Sequence, residues 1–512
     1  MSSAIMHFLF LLLLLLFILF LLALLRRKKK SIVRCELPPS PPKLPIIGNL
    51  HQLGKLPHQN LWELSQEYGP AMLLQLGSVP ALVVSSADFA KQVLKDHDIS
   101  FCSRPRSPGP KRIFYGFLDV AFTPYGDHWR KTRKIFVHHL LGPRRAESFS
   151  SARAVEIRHL INYLSAASPN PVNLDDKIFD LADGVLGAVA FGKSYRGKQF
   201  EGQVLREVIV EAMHMIDSFS AEDFFPNFFG WTIDLLTGHK ARLDKCFHKL
   251  DGYLEMVLNE HLDRENTRKG DDDDDLVDVL LGLSNEETGL PLSKEHIKAI
   301  FMNAFLGGVD TSAIVIIWAM SELIRNPQTM QKAQAEIRTK LGAKPTLEPD
   351  DLGKLTFLKM IVKETLRLHP PVPLLLPRET RRTCQIRAEN NNIYNISPRT
   401  RVLVNAWAIG RDPNKWNNPS EFSPERFKGN EVDFRGQHFE FVPFGGGRRI
   451  CPGISNSIAT IELTLANLLY WFDWEVAEGM KVEEIGSLEE EGGVTTHKRT
   501  KLTLVPINYA WP

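Results

Sequence analysis

Phe444-Gly445-Gly446-Gly447-Arg448-Arg449-Ile450-Cys451-Pro452-Gly453 is a glycine-dense loop that delivers one cysteine to the start of a long apolar stretch, Gly453 to Trp471, with helical periodicity. Glycines let a backbone turn tightly and lie close against a flat ligand. The amino terminus of the following helix offers N–H groups and partial positive charge to an anionic sulfur, which favours thiolate. A buried structural cysteine beside a glycine turn is the ordinary explanation of an isolated cysteine; the complete decapeptide argues against it here. The other cysteines, Cys35, Cys102, Cys246 and Cys384, are scattered without a CxxC pair. Neither a disulfide framework nor a structural zinc site follows, and a reducing, cytosol-facing catalytic domain fits best.

Three further segments bear on this loop. Gly307-Gly308-Val309-Asp310-Thr311-Ser312 interrupts an otherwise apolar helical run from Lys294 to Arg325. A glycine inside a helix costs about 1 kcal/mol relative to alanine, and close backbone approach is a reason to keep two. Read alone, Asp310 and Thr311 are satisfied polar core residues. Glu364-Thr365-Leu366-Arg367 lies on a helical stretch ending at His369-Pro370-Pro371, so Glu364 and Arg367 sit one turn apart on one face. Alone, that is an exposed ion pair of a few tenths of a kcal/mol. In Trp129-Arg130-Lys131-Thr132-Arg133-Lys134 the i, i+4 spacing places Trp129 with Arg133, and Arg130 with Lys134 on another face.

The remaining chain predicts more helix, at Asp88 to Lys95, Trp129 to His139 and Leu276 to Leu283, and little strand. Leu73 to Leu76 and Ala81 to Val84 flank a Gly-Ser-Val-Pro turn as a hairpin, with further strands at Arg401 to Asn405 and Thr500 to Val505. The run Asp271 to Asp275 predicts a solvated surface loop, because clustered like charges cannot be buried cheaply. No internal repeat is visible. The fold class is therefore mainly α, one large helical domain with a small β-sheet region. The 62 Lys and Arg nearly cancel 60 Asp and Glu, so no nucleic-acid partner is implied.

The amino terminus stands apart. Phe8 to Leu25 is an unbroken apolar run followed by Arg26, Arg27, Lys28, Lys29 and Lys30. Such a run spans roughly 27 Å as helix, near the hydrocarbon thickness of a bilayer. The positive cluster after it predicts a retained transmembrane helix with the downstream chain in the cytosol, with a cleaved signal peptide as the alternative. Pro38-Pro39-Ser40-Pro41-Pro42-Lys43-Leu44-Pro45 then reads as a stiff spacer, and Ile46 to Leu50 as its docking onto the body. The expected organisation is a transmembrane anchor at 1–25, a basic cluster and Pro-rich hinge at 26–45, and a catalytic domain at 46–512.

At every defining position, Phe444, Gly447, Arg449, Cys451 and Gly453, the loop resembles the haem-binding pattern of the cytochrome P-450 family. The resemblance runs from the proline segment to the carboxyl terminus, and Pro45 to Leu53 and Asn405 to Pro413 resemble the plant microsomal members. It implies a haem b whose iron takes Cys451 as axial ligand, the thiolate favouring O–O cleavage, a role for which this family is itself the standard illustration. Arg449, Trp129, Arg133 and Arg378 would reach the haem propionates. Thr311 would hydrogen-bond dioxygen during its activation and Asp310 would help relay protons. Glu364 and Arg367 would form a buried network with Arg426 of Pro424-Glu425-Arg426-Phe427, serving stability and haem-loop placement. Arg130, Lys131 and Lys134 would attract an acidic electron donor.

The activity implied is monooxygenation of a small lipophilic specialised metabolite, a terpenoid first, with phenolic and alkaloid skeletons open. Electrons would come from NADPH through a separate cytochrome P-450 reductase, with cytochrome b5 as a further donor, at the endoplasmic reticulum membrane. The pocket positions implied are Phe117, Val120, Ala304, Gly308, Val372, Leu374 and Val494, within Ile113 to Val120 and Val372 to Leu376. Two rivals remain: a reductase-independent haem-thiolate isomerase or dehydratase, whose members lack the acid-threonine pair, and a non-enzymatic haem sensor, which needs a second ligand that no motif supplies.

Overall fold

The computed structural model describes residues 36–142, 149–191, 199–200, 203–265, 275–283, 289–388, 392–479 and 489–511. The expected membrane span, the basic cluster and Cys35 lie outside the described residues.

The helix Lys294–Arg325 is the axis of the molecule. Ser293 starts it by accepting a hydrogen bond from the His296 N–H, and Asn326 before Pro327 stops it. It packs against Leu174–Phe191 on one side and Ile454–Trp471 and Thr356–Leu368 on the other. Enclosed on nearly every face, it can be apolar all round. Among the described residues it is the one helix long and apolar enough to cross a membrane, yet most of it is buried inside the protein. Around it lie Asp127–Ile135, Ser150–Ala167, Leu205–Asp217, His239–Glu265 and Pro327–Leu341. One large apolar cluster runs through these helices, and two smaller ones lie at the sheet.

The main sheet has four strands in the order Ala71–Leu76, Val79–Val84, Arg401–Val404, Arg378–Glu379. The first two pair antiparallel with Leu76 opposite Val79, so the turn is Gly77-Ser78 alone and Val79 and Pro80 belong to the strand. The expected strand from Thr500 begins instead at Thr503 and runs to Asn508, between Phe472–Val476 and Val172–Asn173. The proline segment is tied down from its first described residues: Pro39 accepts a hydrogen bond from Leu73 N–H, and Pro42 accepts one from the Asn49 amide. Gly48 seals this dock. Its φ is +61°, and a Cβ there would lie 1.9 Å from the Gln75 carbonyl oxygen, so no other residue fits.

Of the expected solvated acidic loop, Asp271 to Asp274 lie outside the described residues, and Asp275 corrects the expectation at its last position. It is buried, caps the helix Leu276–Gly282 through the Val277 and Asp278 N–H groups, and pairs with His261 at 2.8 Å. Its charge is enclosed because it is answered on every side.

Candidate active site

Cys451 sits two residues before the N-cap, Gly453, of the helix Ile454–Trp471. Its N–H donates to the Phe444 carbonyl at 3.1 Å, closing the loop on itself. Cys451 is half-buried and lines a cavity of about 290 Å³. Burial pushes the thiol pKa up, and the Gly453 N–H and the Arg133 charge pull it back only in part. The helix terminus by itself therefore does not make the thiolate; a bound cation would. Gly447, at φ +66°, lets the loop approach its floor, where a Cβ would meet the Leu94 carbonyl oxygen at 2.1 Å. Phe444 lines the cavity beside the sulfur and leans edge-on against Phe434.

Four arginines surround the same cavity: Arg104, Arg133, Arg378 and Arg449. Arg449 donates to the carbonyls of Cys102, Val120 and Thr123, and burial pushes its pKa down to about 9. Burial likewise lowers Arg104, Arg133 and Arg378. Only Arg378 has a carboxylate partner among the described residues, Asp98 at 2.9 Å, which it shares with Arg448. Spare positive charge is thus held at the edge of an apolar cavity with a thiol at its base. A flat group with two carboxylates on one edge and a metal at its centre matches that donor set, and haem is such a group.

Trp129 departs from its expected place. Its indole N–H donates to the Val120 carbonyl at 3.0 Å, and its ring carries the Arg449 guanidinium at 4.2 Å, so it stands behind Arg449 rather than on the cavity wall. Arg104 escaped sequence reading because Ser103-Arg104-Pro105 is no motif; it is fixed by the carbonyls of Ala121, Leu376 and Pro377.

Glu364 and Arg367 form a two-pronged pair, both bonds 2.7 Å, with neither side chain exposed. Arg426 joins the same carboxylate at 2.8 Å, and Arg367 extends to the carbonyls of Gly410, Pro419 and Glu421. These bonds tie the helix Thr356–Leu368 to the coil leading to the cysteine loop.

The central helix passes over the cavity without a break. The Thr311 hydroxyl faces the cavity and donates to the Gly307 carbonyl at 2.7 Å. Of the two glycines, only Gly308 answers to close approach, since a Cβ there would meet Leu186 at 3.2 Å; Gly307 has open space. Asp310 points away from the cavity wall towards His497, 3.3 Å from its Nε2. Val120, Ala304, Gly308, Val372 and Val494 line the cavity. Phe117 and Leu374 do not. Phe117 takes a left-handed φ of +74° in a tight turn and is buried elsewhere. Leu375, with φ +50°, breaks the alternation of its segment, so Leu374 packs under the sheet while Leu375 and Leu376 face inward. Further lining comes from helices with no motif, through Val185, Leu186, Met213 and Ile216.

The fold and this site together define a haem-thiolate protein. The family model described as cytochrome P-450 matches residues 38–504, and the chain belongs to that family. It is 50% identical to the 4-hydroxyphenylacetaldehyde oxime monooxygenase of Sorghum bicolor, over 92% of this chain and 89% of that protein. It is 46% identical to the 2-methylbutanal oxime monooxygenase of Manihot esculenta, over 93% and 92%, and to the parthenolide synthase of Tanacetum parthenium, over 93% and 94%. A zebrafish cytochrome P-450 structure with abiraterone, 24% identical, shares the fold with a TM-score of 0.73 over 89% of this chain and all of that one. The protein is a plant haem-thiolate monooxygenase of specialised metabolism, with haem as its cofactor and dioxygen, a substrate and a redox partner as its reactants.

Proposed function

We propose that this protein oxidises a small lipophilic metabolite carrying a compact polar head, an aldehyde oxime before a terpenoid, with NADPH electrons delivered by a separate cytochrome P-450 reductase and cytochrome b5 as a further donor. The observation that carries this reading is the position of Cys451 at the base of an apolar cavity with Thr311 on its wall. Haem, when bound, supplies the oxidising chemistry. Cys451 holds its iron, and the Gly453 N–H steadies the sulfur. Arg449, Arg133 and Arg378 meet its carboxylates, Trp129 braces Arg449, and Phe444 and Gly447 shape the loop beneath it. The network of Glu364, Arg367 and Arg426 fixes where that loop lies. Asp310 and Thr311 move protons towards the cavity. Val120, Ala304, Val372 and Val494 exclude water and orient the substrate. Thr495 adds a hydroxyl to this apolar wall, and the names of two relatives point to oximes, which pair a small polar head with a lipophilic body.

The chain is placed at the endoplasmic reticulum membrane, with 1–25 as anchor, 26–45 as basic cluster and hinge, and 46–512 as the cytosolic catalytic domain. One apolar edge of the body supports this. Ile46, Phe228 and Leu236 are 75%, 79% and 81% exposed. Their segments meet at the Gly77-Ser78 turn, where Gly77 N–H donates to the Ile47 carbonyl and Ser78 N–H to that of Phe224. Such a patch beside the start of the body suits a lipid surface. Arg130, Lys131 and Lys134 are exposed and suit an acidic electron donor.

The test is the full chain in microsomes with reductase, given NADPH, labelled dioxygen and a panel of 4-hydroxyphenylacetaldehyde oxime, 2-methylbutanal oxime and terpenoids. The expected result is a product that requires NADPH, reductase and dioxygen, formed from an oxime in preference to the terpenoids. Turnover that persists without reductase and dioxygen would overturn the reading.

A further inference from the structure

Asp310 lies beside Thr311 in sequence, yet its carboxylate does not reach the cavity wall. Its Oδ2 is shielded from solvent and makes no hydrogen bond among the described residues. The side chain that comes to meet it is His497, on the second strand of the hairpin Glu490–Lys498, with Nε2 3.3 Å from Oδ2. The two differ in access to water: the His497 side chain is 37% exposed and that of Asp310 17%. The imidazole thus spans the distance between solvent and a carboxylate that adjoins the cavity.

The hairpin holds that imidazole in place. At its base the buried Glu490 bonds His58 at 2.6 Å and Gln59 at 2.8 Å on the helix Pro57–Tyr68. The groups around His497 come from three elements: Asp310 from the central helix, the stacked ring of Phe179 from Leu174–Phe191, and Thr495 and the register partner Glu491 from the hairpin itself. Thr495 also lines the cavity, so the same hairpin shapes the substrate space and touches the acid.

We propose that His497 is a positioning residue for the monooxygenase reaction, aligning Asp310 and re-supplying it with protons from solvent. This rests on the reading of Asp310 and Thr311 as the proton-handling pair. Each hand-over is a proton transfer with no change of oxidation state: the imidazolium Nε2 gives its proton to the Asp310 carboxylate, the neutral imidazole takes one from water, and Asp310 releases its own towards the Thr311 side. Imidazole suits the task because it has two ring nitrogens, so it can accept a proton on one and give one up from the other, where a lysine ammonium only donates.

The experiment uses the full chain with reductase and any substrate it turns over, comparing the parent with His497→Phe, His497→Gln, Asp310→Asn and the double variant Asp310→Asn/His497→Phe. Phe keeps the stacking on Phe179 and Gln keeps a polar side chain, so a folding failure of one leaves the other readable. Product and hydrogen peroxide per NADPH are measured, with the carbon monoxide difference spectrum and the spectral substrate Kd as controls. Both His497 variants are expected to lose about threefold or more of product per NADPH, with peroxide rising and both controls unchanged. The double variant should be no worse than Asp310→Asn. A parent-like ratio in the His497 variants beside an uncoupled Asp310→Asn overturns the proposal alone. So does a loss that follows a changed substrate Kd, or losses that multiply in the double variant. A parent-like ratio in Asp310→Asn overturns the proton-pair reading and this proposal with it.

Discussion

Replacing a thiol by a hydroxyl changes one atom, so Cys451→Ser isolates what the sulfur does. It is expected to abolish the carbon monoxide difference band and all product formation. Cys35, Cys102, Cys246 and Cys384 should each tolerate serine or alanine with the band retained, because the described ones among them are buried away from the cavity sulfur. Thr311→Ala removes a hydroxyl whose one bond among the described residues is to its own helix, so stability should fall by about 1 kcal/mol at most. Product per NADPH should nevertheless fall while peroxide rises and the difference band persists; an unchanged ratio would return Thr311 to the packed core. At this scale the sequence is legible where spacing is local, as in Phe444 to Gly453. Arg104 and His497 are not, because each gains its meaning from partners far along the chain, Leu376 for one and Asp310 for the other.

Elements make a different test. Glu364 answers two arginines inside the protein, so Glu364→Ala strands buried positive charge and should cost about 3–5 kcal/mol, read as a lower Tm and weaker haem retention. The clamp between His239–Glu265 and Leu276–Gly282 should respond to pH. Burial works against the His261 charge, but the hydrogen bonds to Asp275 and the Val257 carbonyl outweigh it and raise the pKa above its ordinary 6.5. A raised histidine stabilises fully below the unfolded value and loses that contribution as pH rises through the folded one. His261→Gln should therefore lower Tm more at about pH 6 than at about pH 9; an equal loss at both would show that the charge is idle. Because both ring nitrogens are engaged in that clamp, His261, Asp275 and Asp278 form a salt-bridged cap rather than a metal site. Element boundaries followed the same logic. Lys294–Arg325 was legible end to end since Ser293 and Pro327 mark it, whereas the strand from Thr503 was misplaced because its start is set by pairing with Val172–Asn173. Phe117 and Leu374, given as pocket positions by the family resemblance alone, lie off the cavity because Phe117 itself and Leu375 next to Leu374 take left-handed φ values of +74° and +50° that redirect the side chains.

Whole-molecule behaviour follows from charge and membrane placement. Four inward arginines, of which only Arg378 has a carboxylate partner among the described residues, should make the haem-free protein markedly less stable than the loaded one, by the mass-action stabilisation that a tightly bound group gives the folded state. Thermal melts before and after haem extraction check it; coincident melts would count against the arginine assignment. With the body on the cytosolic side, as proposed, Asn395-Ile396-Ser397 should carry no glycan when the protein is made on microsomes, since a cytosolic body never meets the glycosylation machinery, and a glycan there would overturn that topology. One further consequence lies in the contact between His58 and Glu490, which are 432 residues apart. Chains fold from the amino end as they are made. The wall that carries Val494, Thr495 and His497 leaves the ribosome after the cysteine loop, and it locks onto a helix made well before that loop. The nascent chain therefore presents Cys451 before the room around it is shut, and the arrival of that wall, not of the cysteine loop, sets the moment after which a cofactor must find its way in through a closed door.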